Sequence, residues 1–197
     1  MKILITGAQG QVGKELVSIA NQRGFDVIAA GQTELDITQL KNIESYVEVH
    51  QPDLVINAAA YTAVNKAEEE QDITYAINRD GTANLAAVSK EKNIPLLHIS
   101  TDYVFDGDKK GVYLENDTPN PQSVYGQTKF AAEEAIIKSQ CQHIIFRTAW
   151  VYSLRGANFV KTIIRLAKER EELKIVTDQI GAPTSAELIA DVTALCL

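Results

Sequence analysis

The first twenty residues constrain this chain more than any other stretch. Residues 1–5, Met-Lys-Ile-Leu-Ile, form a short apolar run suited to a buried strand. Thr6-Gly7-Ala8-Gln9-Gly10-Gln11-Val12-Gly13 follows, and residues 15–20 open a helical pattern. A glycine-rich turn between a buried strand and a helix N-terminus is the setting of a phosphate-cradling loop. Glycine permits positive φ and close backbone approach. Free N–H groups at the positive end of the helix dipole then face an anion such as a pyrophosphate. The glycines at 7, 10 and 13 are spaced G-x-x-G-x-x-G, not G-x-G-x-x-G. An ordinary βα turn has the same composition, and the position of this one favours a dinucleotide loop.

The chain beyond the turn repeats the strand–helix alternation. A helix is expected from Val12 to Arg23, with Gly24 as its stop. Residues 25–30 read as a second buried strand, and Gly31 stands where many dinucleotide sites carry a ribose-binding acid. Asp36 either caps the next helix, in competition with Thr38, or reaches an adenine edge. Leu40, Ile43, Tyr46 and Val47 make the apolar face of a second helix that ends before Pro52. Residues 53–57 are a third strand, and the small residues 58–60 after it allow a flat ligand or a helix to lie close. Glu68, Glu69 and Glu70 read as a solvated face before one long helix ending near Asn93. Residues 94–99 form a fourth strand in which His98 is expected to be a satisfied core histidine. Strands alternating with helices predict a parallel, doubly wound α/β sheet, whose ligands lie beyond the carboxyl ends of the strands.

Bulk properties narrow the classes of function. At 197 residues, 45% hydrophobic and 23% charged, the chain suits an ordinary globular protein. The net charge of −7 argues against a nucleic-acid surface, and no apolar run approaches a membrane span. No leader pattern is evident at residues 1–5, and Cys141 and Cys196 lack metal-like or redox-like spacing. Both are expected to be reduced, in a cytoplasmic protein.

The candidate chemistry lies after the fourth strand, in Ser100-Thr101-Asp102-Tyr103-Val104-Phe105-Asp106-Gly107. A loop follows, and then a helix containing Tyr125-Gly126-Gln127-Thr128-Lys129. Tyr125 and Lys129 share a helical face. An ammonium near the phenol would lower its pKa and make Tyr125 a general acid at neutral pH. Thr101 is placed to bond the same substrate oxygen. Tyr-x-x-x-Lys alone is common by chance, and its combination with Thr101 and the glycine turn is not.

In residues 7–13, 57–62, 100–107, 125–129, 146–152 and 178–184, the chain resembles the extended short-chain dehydrogenase/reductase family. Ser-Thr-Asp-Tyr-Val-Phe-Asp-Gly and Asp-Gln-Ile-Gly-Ala-Pro-Thr are similar to its branch that reduces dTDP-4-keto-6-deoxysugars. The resemblance implies a Rossmann-type domain over residues 1–150. It also implies that residues 151–197 are remaining elements of that fold interwoven with an incomplete C-terminal substrate lobe. The implied reaction is hydride delivery from NADPH or NADH to the C4 carbonyl of dTDP-4-dehydro-L-rhamnose. Tyr125 is the implied proton donor, Lys129 the group that holds the nicotinamide ribose, and Thr101 the carbonyl-orienting residue. Gly7, Gly10, Gln11, Val12 and Gly13 are implied to surround the pyrophosphate. Asp36 and Ile37 are implied beside the adenine, and Ala60, Tyr61 and Thr62 along the cofactor cleft. Asp102 and Trp150 are implied substrate contacts, with a core tryptophan as the competing reading of Trp150.

Some members hold structural magnesium at a homodimer contact, and Glu15 and Glu187 match two of those positions. Either is equally a surface carboxylate, and two ligands fall short of magnesium's six. Asn65 stands where an aspartate is usual. Leu197 falls inside an apolar helical pattern, so the chain is expected to be shorter than its relatives. Two other functions stay open at this point: an NADP-binding regulatory subunit of methionine adenosyltransferase, and a sugar-nucleotide epimerase or dehydratase.

Overall fold

The computed structural model describes residues 1–197. Five parallel strands form the central sheet: β1 (Lys2–Thr6), β2 (Asp26–Ala30), β3 (Leu54–Asn57), β4 (Leu96–Thr101) and β5 (His143–Thr148). Their spatial order is β2-β1-β3-β4-β5, so the winding reverses between β1 and β3. Crevices at such a switch point, outside the carboxyl ends of the strands, are where doubly wound sheets bind ligands. Strand β5 was not among the strands expected from the sequence. Its pattern is less apolar, and it lies at the sheet edge with no residue buried. Strand β2, expected to be buried, is the other edge, and only Ala30 in it is fully covered.

The period of two in the strands divides the core into two layers. Leu4, Val55 and Leu96 face one side, where they meet helices α2 (Leu40–His50), α5 (Thr82–Lys92) and α6 (Val124–Ser139) through Ile43, Val47, Leu85 and Ile136. Ile3, Ile5, Leu54, Ile56 and Leu97 face the other side. There they pack on Leu16 and Ala20 of α1 (Gln11–Gln22) and Ala190 of α8 (Ala186–Leu195). Near-continuous apolar strands are what a sheet covered on both faces requires.

Between β3 and α5 lie two short helices, α3 (Val64–Ala67) and α4 (Gln71–Tyr75), and a π-helical turn over Ala76–Gly81. The single long helix expected there runs unbroken through α4, the π turn and α5, and its middle turn is π-helical. The π turn places the buried Asn78 side chain where its Nδ2 donates to Thr128 Oγ1 at 3.0 Å, and its Oδ1 accepts from Tyr61 N at 2.8 Å. A widened turn of this kind re-aims a side chain at the expense of regular hydrogen bonding. Beyond the sheet, β6 (Val151–Tyr152) and β7 (Thr184–Ser185) pair in parallel, and α7 (Phe159–Glu169) has no buried residue.

Two glycines separate the roles that glycine plays here. A Cβ at Gly13 would overlap the Gly7 carbonyl and stand 2.7 Å from Ala8 Cα, so the turn and α1 meet only without one. Gly24 ends α1 at φ +78°, with open space around it. Gly13→Ala is expected to cost about 2–3 kcal/mol as an overpacked backbone contact. Gly24→Ala is expected to cost about 1 kcal/mol from left-handed strain alone. Urea unfolding of the two variants, with equal m-values, checks the difference.

Candidate active site

The glycine turn is built as the sequence predicts. Gly7 has φ +65°, and a Cβ on it would stand 2.5 Å from Ala59 N. The turn after β1 therefore lies directly against the turn after β3. Helix α1 starts at Gln11 with Gly10 as its N-cap and no side chain capping it. The N–H groups of Gln11, Val12 and Gly13 consequently lack partners within the helix. They offer the donors and the dipole end that an anion takes.

A cavity of about 230 Å³ opens beside this turn. Gly7 and Gly10 form one wall, Gly31 and Gln32 another, and Ala58, Ala59 and Ala60 a third, with Asp36 and Ile37 on the remaining side. Part of a dinucleotide fits these residues, with small groups on three sides and a polar edge at Asp36, while the free N–H groups of the helix start lie just outside the cavity. Of the residues implied for the cofactor, Gly7, Gly10, Asp36, Ile37 and Ala60 line this cavity. Gln11, Val12, Gly13, Tyr61, Thr62, Tyr125 and Lys129 do not. Gln9, Gln32 and Thr38 line it as well and were not anticipated; for Gln9 and Gln32 the adjacent glycine was the available signal.

Asp36 does not cap α2, and neither does Thr38. The N-cap of α2 is Gln39, with no side-chain bond. The Asp36 carboxylate instead accepts from Thr38 N at 2.9 Å and from Thr38 Oγ1 at 2.8 Å, which shapes the cavity rim. Glu34 accepts from Gly31 N at 2.8 Å, so the acid near the end of β2 belongs to the following turn. The acidic run after β3 is also not merely a solvated face. Glu68 Oε1 accepts from Val124 N at 2.9 Å at the start of α6, and Glu70 accepts from the Tyr61 hydroxyl.

Thr101 ends β4 and Tyr125 sits in the first turn of α6, which Ser123 caps by accepting from Gly126 N at 3.1 Å. A Cβ at Gly126 would overlap the Tyr103 carbonyl, so the helix start rests on the residue following the Thr101–Asp102 pair. The rings of Tyr125 and Tyr103 meet edge to face at 5.6 Å. Thr101 Oγ1 donates to Asp102 Oδ1 at 3.1 Å and accepts from Tyr103 N at 3.2 Å. Burial pushes the Tyr125 phenol up to about 12, against the opposing effect of the nearby Thr101 hydroxyl. Burial likewise raises the Asp102 carboxyl.

Lys129 corrects the sequence-based expectation. Its ammonium was expected to lower the Tyr125 pKa. Instead Nζ donates to the Ile99 carbonyl at 2.7 Å and lies 3.0 Å from His98 Nε2. Burial lowers Lys129 to about 7. His98 is fully buried and satisfied, as expected, and its partners are Lys129 and Asn57. Asn57 went unnoticed as a site residue. The signal was a polar residue closing an apolar strand at the switch point.

Trp150 is not a core residue. It is 37% exposed, in left-handed conformation at φ +47°, with its indole against Phe159 at 5.6 Å and over Gly181. Such a conformation for a bulky residue marks local strain. Glu15 does not join Glu187 in a metal site. It accepts from Ser153 Oγ at 3.0 Å and pairs with Arg155 at 3.8 Å. No group of three or more His, Cys, Asp or Glu side chains is arranged to hold a metal ion, so the residues do not fit magnesium. Cys141 is buried and free, whereas Cys196 is free and exposed. No helix is long and apolar enough to cross a membrane.

A family model described as "RmlD substrate binding domain" matches residues 1–197. The chain belongs to this family. Among its relatives is the dTDP-4-dehydrorhamnose reductase of Burkholderia thailandensis, 46% identical over 197 residues, which are all of this chain and 66% of the relative. The crystal structure of a dTDP-4-dehydrorhamnose reductase from Clostridium acetobutylicum superposes with a TM-score of 0.96 at 45% identity, covering 99% of this chain and 69% of that one. The structure of the dTDP-4-dehydrorhamnose reductase of Bacillus anthracis in complex with NADP gives a TM-score of 0.96 at 40% identity, with the same coverage. The chain thus spans 66% of the length of the curated relative it matches.

The displaced pKa values of this RmlD-family chain imply a specific pH dependence of stability. His98 and Lys129 bind protons less readily folded than unfolded, because burial penalises their charged forms. Stability is therefore expected to rise with pH, through His98 up to about 6.5 and through Lys129 from about 7 to about 10, by as much as about 1 kcal/mol per pH unit for each group. Tyr125 reverses the sign. Its phenol stays protonated folded to about 12, so stability falls above about pH 10, where unfolded tyrosine ionises. Urea melts across this range check the profile, and Lys129→Met is expected to flatten its middle section.

Proposed function

We propose that this chain carries the dinucleotide site and proton donor of an oxidoreductase that reduces the C4 keto group of dTDP-4-dehydro-L-rhamnose with NADPH or NADH. The observation that carries the reading is the placement of Tyr125, in the first turn of α6, and Thr101, at the end of β4, at the carboxyl edge of the sheet whose neighbouring switch point holds the glycine turn. The names of the relatives favour the reductase over the regulatory-subunit and epimerase or dehydratase alternatives. The fold and the absence of a membrane-spanning helix are compatible with the expected cytoplasmic setting.

The reduced nicotinamide, when bound, supplies the hydride. The N–H groups of Gln11, Val12 and Gly13 hold the pyrophosphate, and Asp36 and Ile37 border the adenine end. Ala60, Tyr61 and Thr62 flank the path between these groups and α6. Tyr125 gives its phenolic proton to the oxygen of the C4 carbonyl as that oxygen gains charge. The phenol is protonated at neutral pH, which is the form an acid needs, and burial raises its pKa further. Thr101 turns its one hydroxyl hydrogen from Asp102 to the same oxygen and so orients the carbonyl. Lys129 holds the nicotinamide ribose. Asp102, on the Thr101 hydroxyl, and Trp150, exposed beyond β5, contact the dTDP-sugar.

Loss of reduced-nicotinamide absorbance on mixing the chain with NADPH and dTDP-4-dehydro-L-rhamnose tests the reading. Substrate-dependent loss is expected. Tyr125→Phe is expected to lower the rate by about 10²–10⁴-fold with dinucleotide binding retained, since it removes the proton and little volume. A Tyr125→Phe protein with full turnover would exclude this role. A folded wild-type chain without substrate-dependent loss would overturn the activity for these 197 residues.

A further inference from the structure

We propose that His98 is a positioning residue that holds Lys129 as an uncharged amine in the free protein, so that the lysine takes up its proton on leaving His98. The inference rests on the reading of Lys129 as a group that serves the dinucleotide and Tyr125, but its structural basis is independent of that reading.

It starts from a donor whose hydrogen cannot be reassigned. The backbone N–H of Ala59 donates to Asn57 Oδ1 at 3.1 Å, and the Thr6 hydroxyl donates to the same oxygen at 2.7 Å. An N–H faces an oxygen, so the carboxamide of Asn57 has one orientation. Its Nδ2 is then the donor to Thr82 Oγ1 at 3.1 Å and to His98 Nδ1 at 3.1 Å. A nitrogen that accepts carries no hydrogen, so the single ring proton of His98 sits on Nε2. That Nε2–H is directed at Lys129 Nζ, 3.0 Å away. An ammonium has three donors and no lone pair, whereas an amine accepts from His98 and still donates to the Ile99 carbonyl at 2.7 Å. The protonation state of Lys129 is therefore set from β3, through a histidine.

The surrounding charges do not reverse this. Glu133, on the same helix, favours the ammonium, but its carboxylate accepts from Ser100 Oγ and pairs with Arg147 of β5 at 2.7 Å. Asp102 and Tyr103, beyond the end of β4, act on Tyr125. From β1, β3 and α5, His98 and its carboxamide partner meet only neutral Thr6, Asn57 and Thr82. Burial holds the His98 imidazole well below its ordinary range and lowers Lys129 to about 7. The proton that converts the amine to an ammonium comes from water. A lysine that moves toward an anionic dinucleotide or an incipient tyrosinate thus gains its charge there.

Nitrogen-detected magnetic resonance on the isotope-labelled 197-residue chain tests this, without substrate or turnover. Long-range proton–nitrogen spectra are expected to show His98 as the Nε2–H tautomer. The Lys129 side chain, assigned by its disappearance in Lys129→Met, is expected to read as an amine at about pH 8, where an ordinary lysine is an ammonium. An Nδ1–H tautomer, a doubly protonated His98, or an ammonium at Lys129 under those conditions overturns the proposal. His98→Gln adds a perturbation, because a glutamine can turn its oxygen to Lys129. The Lys129 titration midpoint is then expected to rise by about one unit or more, a tenfold change in proton affinity. An unmoved midpoint in the folded variant counts against the proposal, and the wild-type spectra decide the matter if that variant does not fold. A chain without reductase turnover leaves these readings unaffected, which separates the two failures.

Discussion

The carboxamide of Asn57, fully buried at the carboxyl end of β3, joins four parts of the structure through one side chain. Its oxygen accepts from Thr6 at the end of β1 and from Ala59 in its own following turn. Its nitrogen donates to Thr82 on α5 and to His98 on β4. Each of these bonds ties down a different element. Leaving one such buried group unpaired costs about 1–3 kcal/mol. The apolar faces of the strands already resist a one-residue slip, because a slip would turn every side chain to the wrong layer. Asn57 adds a polar requirement that only one register satisfies. Thr6, Asn57 and His98 are thereby level across β1, β3 and β4, and β4 runs on beyond them to Thr101.

A second polar arrangement braces the neighbouring edge. Glu133 of α6 is almost wholly buried and is held by Ser100 of β4 and, through two nitrogens, by Arg147 of β5. Arg147 also lies 4.9 Å from the Phe105 ring. Fork-shaped pairing fixes direction as well as distance. It sets α6 against the sheet, and with it the turn of helix that presents Tyr125. It also engages the carboxylate that would otherwise be the natural partner for the buried Lys129. The lysine is left with a carbonyl and an imidazole, neither of which offers it a counter-charge.

Local pattern carried much of this into the sequence. The alternation of apolar residues, the glycine turn, the small residues after β3 and the shared face of Tyr125 and Lys129 all depend on neighbours a few positions apart, and all stand in the structure. What did not show was decided by burial or by distant partners. Lys129 meets His98 across 31 residues, and no helical spacing indicates that it points to the strand rather than to Tyr125. The direction of the Tyr125 pKa follows the same logic, since desolvation is a property of the assembled site. Asp36 looked like a helix cap because aspartate commonly is one. It stands three residues before the N-cap, Gln39, and is used on Thr38. The π turn at Ala76–Gly81 was hidden for a related reason. Its cause is the three-way engagement of Asn78 with Tyr61 and Thr128, and neither partner is a local one.

The glycine turn and the segment after β6 are joined by a division of labour within one residue. Gln11 begins α1, and its backbone N–H belongs to the uncapped first turn. Its side chain faces the other way: Oε1 accepts from Asn158 Nδ2 at 3.0 Å, while the same nitrogen donates to the Ser153 carbonyl at 2.7 Å. Gly156 approaches Gln11 so closely that a Cβ there would stand 2.8 Å from its Cγ. Glu15, one turn further along α1, takes the Ser153 hydroxyl. The stretch from Ser153 to Asn158 is thus docked on the outer side of α1 by side chains, which leaves the backbone donors of the helix start to an anion. Trp150 lies just before this docked stretch, held in left-handed conformation between Gly181 and Phe159. A strained residue persists only where its surroundings over-determine it. Here Phe159 and the backbone at Gly181 supply that constraint, and Phe159 opens the helix that follows the stretch docked on α1.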